Sequence, residues 1–220
     1  MIVLITIPFF LASMVLDMLA RKRNDDAMAA IFQPLTTFVV IVAALLSLFS
    51  GSLKVSFTFG IAIGLIISFA ADMILIDRTN GTAFMKGMIL FFVALLVYST
   101  TLICASGFHW RDLYCAPLLL AYYAIFICVL WKGLGKLKIP VMIYGLAFAF
   151  CVSRAFSTFY SPAFSTAQAV MLVAGTTLFM LGDSQLAIYH FVDKKFPMFW
   201  APAFYFVGQY LIGLSAGFFR

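Results

Sequence analysis

Residues 167–191 read Ala-Gln-Ala-Val-Met-Leu-Val-Ala-Gly-Thr-Thr-Leu-Phe-Met-Leu-Gly-Asp-Ser-Gln-Leu-Ala-Ile-Tyr-His-Phe, an almost uninterrupted apolar run. A helix needs about 20 mostly apolar residues to cross a bilayer, so this run predicts a membrane-spanning helix. Its one carboxylate is Asp183. Because a charge in hydrocarbon is costly, such a residue rarely persists without a function or a partner. Asp183 is therefore the first candidate functional residue.

The composition indicates a polytopic membrane protein. Hydrophobic residues make up 65% of the chain and charged residues only 10%, whereas a soluble domain carries about 25% charged residues. The net charge of +6 would suit nucleic-acid binding in a soluble protein. The basic residues instead lie in short loops between apolar runs, where they orient helices, so nucleic acid is excluded as a partner. The four cysteines show neither zinc-site nor disulfide-framework spacing, and no metal or other cofactor is expected.

Eight apolar segments are long enough to span a membrane. They are residues 2–20, 32–50, 57–76, 85–105, 113–131, 139–160, 167–190 and 198–218. Continuous apolar runs without strict alternation favour helices over membrane strands. The sequence therefore predicts an all-α fold with one transmembrane domain over residues 1–220.

The basic residues predict the orientation. Ten of them lie in the first, third, fifth and seventh loops: Arg21, Lys22, Arg23, Arg78, Lys86, Lys132, Lys136, Lys138, Lys194 and Lys195. On the opposite side are Lys54, Arg111 and Arg220. Cytoplasmic loops carry the excess of Lys and Arg, so both termini are expected on the non-cytoplasmic side, in a cell inner membrane.

A second carboxylate repeats the pattern around Asp183. Residues 68–76 read Ser-Phe-Ala-Ala-Asp-Met-Ile-Leu-Ile, and their Asp72 lies half the chain length before Asp183. Both stretches have a small residue, Asp, two variable residues and Leu. This predicts two four-helix repeats, 1–110 and 111–220, related by an axis along the membrane normal. Coincidence of a short pattern is the alternative interpretation.

If Asp72 and Asp183 share a dry cavity, both cannot ionise cheaply, so the pair would hold one proton. Such a pair supplies an acid and a base, which suits a hydrolase. Intramembrane carboxylates also carry protons in transporters. A purely structural role, with each Asp accepting hydrogen bonds from neighbouring helices, is the third interpretation.

Other polar residues in the apolar segments could line a substrate pocket. They are Tyr144, Tyr205, Gln209, Ser184, Thr36 and Tyr98. Each could instead bond to the backbone of a neighbouring helix. Asp17 precedes Arg21 by one helical turn, so a local ion pair accounts for both. Arg154, near the outer end of the sixth segment, is expected to extend towards the interface.

Three stretches resemble the YhhN-like lysoplasmalogenase membrane family. The strongest is Gly175-Thr-Thr-Leu-Phe-Met-Leu-Gly-Asp-Ser-Gln-Leu-Ala-Ile-Tyr-His-Phe191. The others are Ala71-Asp72-Met-Ile-Leu75 and Tyr205-Phe-Val-Gly-Gln-Tyr-Leu-Ile-Gly-Leu-Ser-Ala216, with Tyr144 and Ala155 between them. The chain departs from the family at Ala71, where Gly is common, at Gln33, where Lys precedes Pro, and at Leu95, where His follows Ala. Both Asp residues are retained.

The resemblance implies hydrolysis of the vinyl ether bond of lysoplasmalogens to a fatty aldehyde and a glycerophospho head group. The pair Asp72 and Asp183 would supply one general acid and one general base, with either residue in either role. A proton-coupled transporter of lipids or small molecules, or a catalytically silent lipid-binding relative, remains the alternative. The expected partners are a lysophospholipid and the membrane lipid. The substrate is expected to enter from the cytoplasmic leaflet, with its phosphate near basic residues on that side: Lys86, Lys132, Lys136, Lys194 and Lys195.

Overall fold

The computed structural model describes residues 5–23, 25–49, 55–76 and 81–218. Within these ranges the regular secondary structure is entirely helical, with eight α-helices joined by turns and short 3-10 helices. In chain order the α-helices are α1 Thr6–Lys22, α2 Asp26–Leu46, α3 Val55–Ile74, α4 Gly81–Ser106, α5 Ala116–Leu130, α6 Lys138–Ser157, α7 Thr166–Phe191 and α8 Ala201–Ser215. The predicted all-α fold is confirmed.

Five of the helices in the described part of the chain are long and apolar enough to cross a membrane. They are α2 with its 3-10 extension, α3, α4, α6 with its flanking 3-10 turns, and α7. The other three are shorter, with 17 residues in α1 and 15 each in α5 and α8. The chain is thus a multi-pass membrane protein, while the crossing of the membrane by all eight helices stays a prediction.

Capping residues mark the N-termini of two helices that carry candidate residues, α7 and α2. At α7, the Ser165 hydroxyl accepts from the backbone N–H of Gln168 at 3.3 Å, and Gln168 Oε1 accepts from the Ser165 N–H at 3.0 Å. This reciprocal capping box satisfies two N–H groups that the helix would otherwise leave unbonded. At α2, Asp25 is the N-cap residue, and its Oδ1 accepts from the Met28 N–H at 2.9 Å. Capping the first free N–H groups of a helix in this way is a common role of aspartate.

Helices α7 and α8 form the most extensive helix pair, and glycines allow their close approach. A Cβ atom added at Gly175 would lie 2.8 Å from the Gly208 carbonyl oxygen, and one at Gly208 would lie 2.7 Å from the Gly175 oxygen. A Cβ at Gly182 would lie 2.9 Å from the Tyr205 nitrogen. Small residues let membrane helices approach backbone to backbone. Asp183, next to Gly182, is thereby brought beside the part of α8 that holds Tyr205.

Helix α5 lies on the periphery and carries large exposed apolar side chains. Leu118 is 72% exposed and Ile125 65% exposed. The helix contacts α6 and α7, and eight of its 15 residues are exposed. In a membrane protein such a surface faces lipid, so α5 is an outer wall of the bundle.

Arg154 is buried and ion-paired inside the protein, so the expected extension of its side chain out of the bundle is wrong. Its side chain is 4% exposed, and Nη2 donates to Oδ2 of Asp112 at 2.7 Å. The guanidinium carbon lies 4.4 Å from the ring centre of Phe108. The segment after α4 folds back as the 3-10 helix Trp110–Tyr114 and brings Asp112 to α6.

The predicted pair of Asp17 with Arg21 is confirmed, at 2.7 Å.

Two architectural expectations stay predictions. Lys54, Arg78 and Arg220, which enter the charge argument for orientation, lie outside the described residues. The helix contacts do not by themselves relate residues 1–110 to residues 111–220. Both the non-cytoplasmic termini and the two four-helix repeats therefore remain to be tested.

Candidate active site

Asp72, near the end of α3, accepts hydrogen bonds from two other helices. The Thr37 hydroxyl and the Tyr205 hydroxyl donate to Oδ2 at 2.6 Å and 2.7 Å, and the Gln33 amide donates to Oδ1 at 3.0 Å. Asp72 itself is 2% exposed. Since both oxygens accept, the arrangement suits the ionised carboxylate, which has only acceptors.

Arg21 fixes the orientation of the Gln33 amide. Arg21 Nη2 donates to Gln33 Oε1 at 2.6 Å, and Arg21 Nε donates to Asp17 at 2.7 Å. An arginine has no acceptor, so the amide oxygen must face Arg21 and the NH₂ group must face Asp72. The result is a hydrogen-bonded chain from the end of α1 to the carboxylate of α3. The glutamine that departs from the family pattern is therefore part of the polar network.

Asp183 sits among aromatic residues from α5 and α6. The Tyr144 hydroxyl donates to its Oδ2. Next to it, the Ser184 hydroxyl donates to the Met180 carbonyl oxygen at 2.7 Å and lies 2.7 Å from the Tyr122 hydroxyl. A serine hydroxyl has one hydrogen, so Tyr122 is the donor in the second contact. Two tyrosine hydroxyls thus point their hydrogens at the Asp183–Ser184 edge of α7.

Both aspartates line one cavity, here named the polar cavity. Besides Asp72 and Asp183 it is lined by Arg21, Gln33, Leu75, Phe84, Phe91, Gly182, Leu186, Met198, Ala201, Pro202, Tyr205 and Phe206. The aspartates come from α3 and α7, which are far apart in sequence. Two carboxylates that line one cavity could supply the acid and the base that hydrolysis requires.

A second cavity, here named the apolar cavity, adjoins the first. It is lined by Leu75, Phe84, Met88, Phe91, Tyr122, Tyr123, Phe126, Val141, Tyr144, Gly145, Phe148, Ala149, Met180, Asp183, Ser184, Leu186, Ala187 and Phe191. The two cavities share Asp183 and four apolar residues, whereas Asp72 lines only the polar one. Asp183 thus stands at their junction. Both are narrow, and aromatic side chains form much of their walls.

Three of the six predicted pocket residues line these cavities, namely Tyr144, Tyr205 and Ser184. The other three satisfy their polar groups elsewhere. Tyr98 donates to Gln209 Oε1 at 2.8 Å, and Gln209 Nε2 donates to Ser68 at 3.3 Å. The Thr36 hydroxyl donates to the Phe32 carbonyl oxygen of its own helix at 2.7 Å. In an apolar interior such groups need partners, and they find them within the bundle.

The predicted lysines and two unpredicted residues also have definite places. The lysines line neither cavity; they are Lys86, Lys132, Lys136, Lys194 and Lys195. Arg21, by contrast, lines the polar cavity. The sequence did not indicate this, because a local ion pair with Asp17 already accounted for its charge. Tyr122 lines the apolar cavity. Its only sequence signal is a hydroxyl on an apolar helix, which it shares with Tyr123.

Comparison with known proteins gives one match, to a family model that covers most of the chain. No curated protein and no solved structure matches it significantly. One family model does match, over residues 28–216, and it is that of the YhhN family. The matched range includes Asp72, Asp183 and the tyrosines that donate to them.

Proposed function

Since the chain belongs to the YhhN family, we propose that it is a membrane-embedded hydrolase that cleaves the alkenyl ether bond of lysoplasmalogens. The products are a fatty aldehyde and a glycerophospho head group. The observation that carries the proposal is that Asp72 and Asp183 line the same cavity. The family resemblance supplies the substrate class, and the pair of carboxylates supplies the chemistry.

The two cavities match the two halves of such a substrate. The apolar cavity suits the hydrocarbon chain, and the polar cavity, with Arg21 and Gln33 in its wall, suits the glycerol of the head group. The vinyl ether bond joins those halves, so it falls at the junction, where Asp183 lies. Because the cavities are narrow, entry of the chain requires the lining aromatic side chains to move apart.

This pose assigns the roles of the two aspartates. Asp183, at the junction and bordered by apolar residues, is the acid that protonates the alkenyl carbon beta to the ether oxygen. Asp72, whose oxygens accept three hydrogen bonds, is the base. In many active sites the acid and the base have different surroundings, which keep one group protonated and the other ionised.

The reaction then proceeds in two stages. Proton transfer from Asp183 to carbon leaves an oxocarbenium-like group, and water adds to it while Asp72 takes the proton of the water. The product is a hemiacetal. In the second stage Asp72 returns its proton to the departing glycerol oxygen, and the Asp183 carboxylate takes the hemiacetal hydroxyl proton. The aldehyde is released, and both aspartates regain their starting protonation states.

The experiment is to incubate the purified protein with a lysoplasmalogen and measure the released aldehyde. Asp72→Asn and Asp183→Asn should each lower turnover by roughly 100-fold or more, since general acid–base groups contribute about that much. Asp193→Asn is the matched control, because Asp193 is exposed and its carboxylate accepts only a loop N–H among its described contacts.

Two outcomes would contradict the proposal. If Asp72→Asn or Asp183→Asn keeps wild-type turnover, the aspartate that was replaced has a structural role. If the wild-type protein releases no aldehyde but moves protons or lipid in proteoliposomes, the carboxylates serve transport instead.

A further inference from the structure

A third cavity continues from the polar cavity towards the ends of α1 and α7; we name it the rim cavity. It is lined by Met18, Arg21, Lys22, Asp26, Leu186, Tyr189, Phe196, Met198 and Phe199. It shares Arg21, Leu186 and Met198 with the polar cavity. The polar cavity thus shares more lining residues with each of the other two cavities than they share with each other, whose one common residue is Leu186. It therefore lies between the apolar and the rim cavities.

The rim cavity has more basic than acidic lining residues. Arg21 and Lys22 line it with one carboxylate, Asp26. The Lys194 ammonium adds a charge nearby, 5.0 Å from the ring centre of Tyr189. Such a cavity attracts anions, and a partly enclosed site strengthens the attraction relative to open water.

Arg21 has donors to spare. Its side chain is 18% exposed, and its contacts with the described residues use Nε for Asp17 and Nη2 for Gln33. A guanidinium has five N–H donors in a planar fork. Two of them hold the side chain in place, so the others can bind an oxyanion without any change of rotamer. Arginine held in this way is well suited to phosphate.

We propose that the rim cavity binds the phosphate of the lysophospholipid substrate through Arg21 and Lys22. This inference rests on the proposed function, because it takes the substrate from there. The order of the cavities is the order of the groups along that molecule: hydrocarbon chain, ether bond, glycerol, phosphate. With the ether at Asp183, the glycerol occupies the polar cavity, and the phosphate reaches the rim.

Lys22 gives a cleaner test than Arg21. Arg21 also orients Gln33, which donates to Asp72, so its replacement would disturb the base as well as the phosphate. Lys22 is exposed and lines only the rim cavity among the three. Arg23, the next residue, is also exposed and lines none of them, which makes Arg23→Gln the matched control.

The kinetic experiment compares a lysoplasmalogen with the alkenylglycerol that lacks its phosphate. For Lys22→Gln we expect KM for the lysoplasmalogen to rise roughly tenfold with little change in kcat, as expected when one charged contact to bound substrate is lost. The alkenylglycerol should be hydrolysed equally by wild type, Lys22→Gln and Arg23→Gln. Equal losses for both substrates, or no loss for either, would overturn the proposal.

A binding experiment separates this inference from the proposed hydrolysis. The probes are a saturated ether lysophospholipid, which has no vinyl group to protonate, and the corresponding alkylglycerol. Wild type should bind the phosphorylated probe more than tenfold more tightly than the alkylglycerol. Lys22→Gln should reduce that preference roughly tenfold, with Arg21 retaining the remainder, whether or not the protein releases aldehyde. Displacement of the probe by free glycerophosphate from wild type but not from Lys22→Gln would also support the phosphate site. Equal affinity of wild type for both probes would contradict it.

Discussion

The phenolic oxygen of Tyr205 lies 2.7 Å from Oδ2 of Asp72, so α8 supplies a donor to the carboxylate of α3. The Tyr205 ring also packs edge-on against Phe91 and Phe179, at 5.6 Å and 5.3 Å between ring centres. The ring of Tyr205 therefore packs the helices together, and its hydroxyl donates a hydrogen bond to Asp72. A substitution that removes only the hydroxyl can separate these two contributions.

Tyr205→Phe should fold normally and lose activity. The ring contacts remain, while Asp72 loses one donor, worth about 1.5–3 kcal/mol for a bond to a charged group. We expect aldehyde release to fall by roughly 10- to 100-fold, and the free energy of unfolding to fall by no more than the value of that one bond. Tyr210→Phe is the control, because its hydroxyl bonds Thr6 at 2.7 Å and lies outside both cavities. A similar loss in Tyr210→Phe would show that the effect is not specific to the site.

Gly182→Ala should damage both stability and activity. The added methyl would lie 2.9 Å from the Tyr205 nitrogen and 3.0 Å from the Ala201 oxygen, which are backbone atoms and cannot rotate away. Helix α7 must therefore move off α8 beside Asp183, at a cost of about 1–3 kcal/mol, typical of overpacking. Thermal unfolding and aldehyde release measure the two effects. Gly81→Ala, whose methyl would meet no atom of the described residues within 4 Å, should leave both unchanged.

Ala149→Phe should shorten the hydrocarbon chain that the protein accepts. Ala149 lines the apolar cavity, so a benzyl group there would take up space proposed for the chain. Turnover of long-chain lysoplasmalogens should fall by at least ~10-fold relative to short-chain ones, since poor fit to a pocket raises the barrier for the longer substrate. Ala124→Phe, on the exposed side of α5, is the control. Equal losses for all chain lengths in Ala149→Phe would place the chain elsewhere.

Asp112→Asn should destabilise the fold because it leaves the buried Arg154 charge without its partner. Breaking a buried ion pair from one side typically costs about 3–5 kcal/mol. Replacing both residues with apolar ones, as in Asp112→Leu with Arg154→Met, should recover much of the loss. Thermal unfolding of the single and double variants measures this. If the single variant unfolds at the wild-type temperature, the pair contributes nothing to stability.

The same pair predicts a pH dependence. Burial raises the pKa of Asp112, but hydrogen bonds from the His109 backbone, Ser157 and Arg154 outweigh it, so the pKa lies below its ordinary value of 3.8. The folded state therefore binds this proton less readily than the unfolded state. Its stabilising contribution is complete above pH 3.8 and is lost as the pH falls through the lower, folded value. Asp112→Asn should remove that part of the acid sensitivity.

The sequence was sufficient to raise the possibility that Asp72 and Asp183 share a cavity, and both line the polar cavity. Asp72 and Asp183 stand out because carboxylates are rare in apolar runs, and Tyr144 and Tyr205 were natural donors for them. It was not sufficient to choose among the other polar residues. Tyr98 and Gln209 carry the same signal as Tyr205, yet they bond to each other. Only the mutual rotation of the helices decides which hydroxyl meets which partner.

Arginines were the least predictable residues. The contact of Arg21 with Gln33 was hidden because a nearer partner, Asp17, already accounted for the charge. Arg154 was misplaced for the opposite reason, since Asp112 lies in another segment of the chain and no periodicity links the two. In both cases the informative contact depends on how a helix end or a loop folds back, which helical patterning does not encode.

If α5 crosses the membrane, as the sequence predicts, its length bears on the bilayer around it. Its 15 residues rise roughly 22 Å, which is less than the ~30 Å thickness of a typical hydrocarbon core. A bilayer adapts to a short lipid-facing helix by thinning beside it. Because Tyr122, Tyr123 and Phe126 of α5 also line the apolar cavity, we expect the thinned region to border that cavity. There the interface dips towards the protein, and a lysolipid needs a smaller vertical displacement to leave its leaflet.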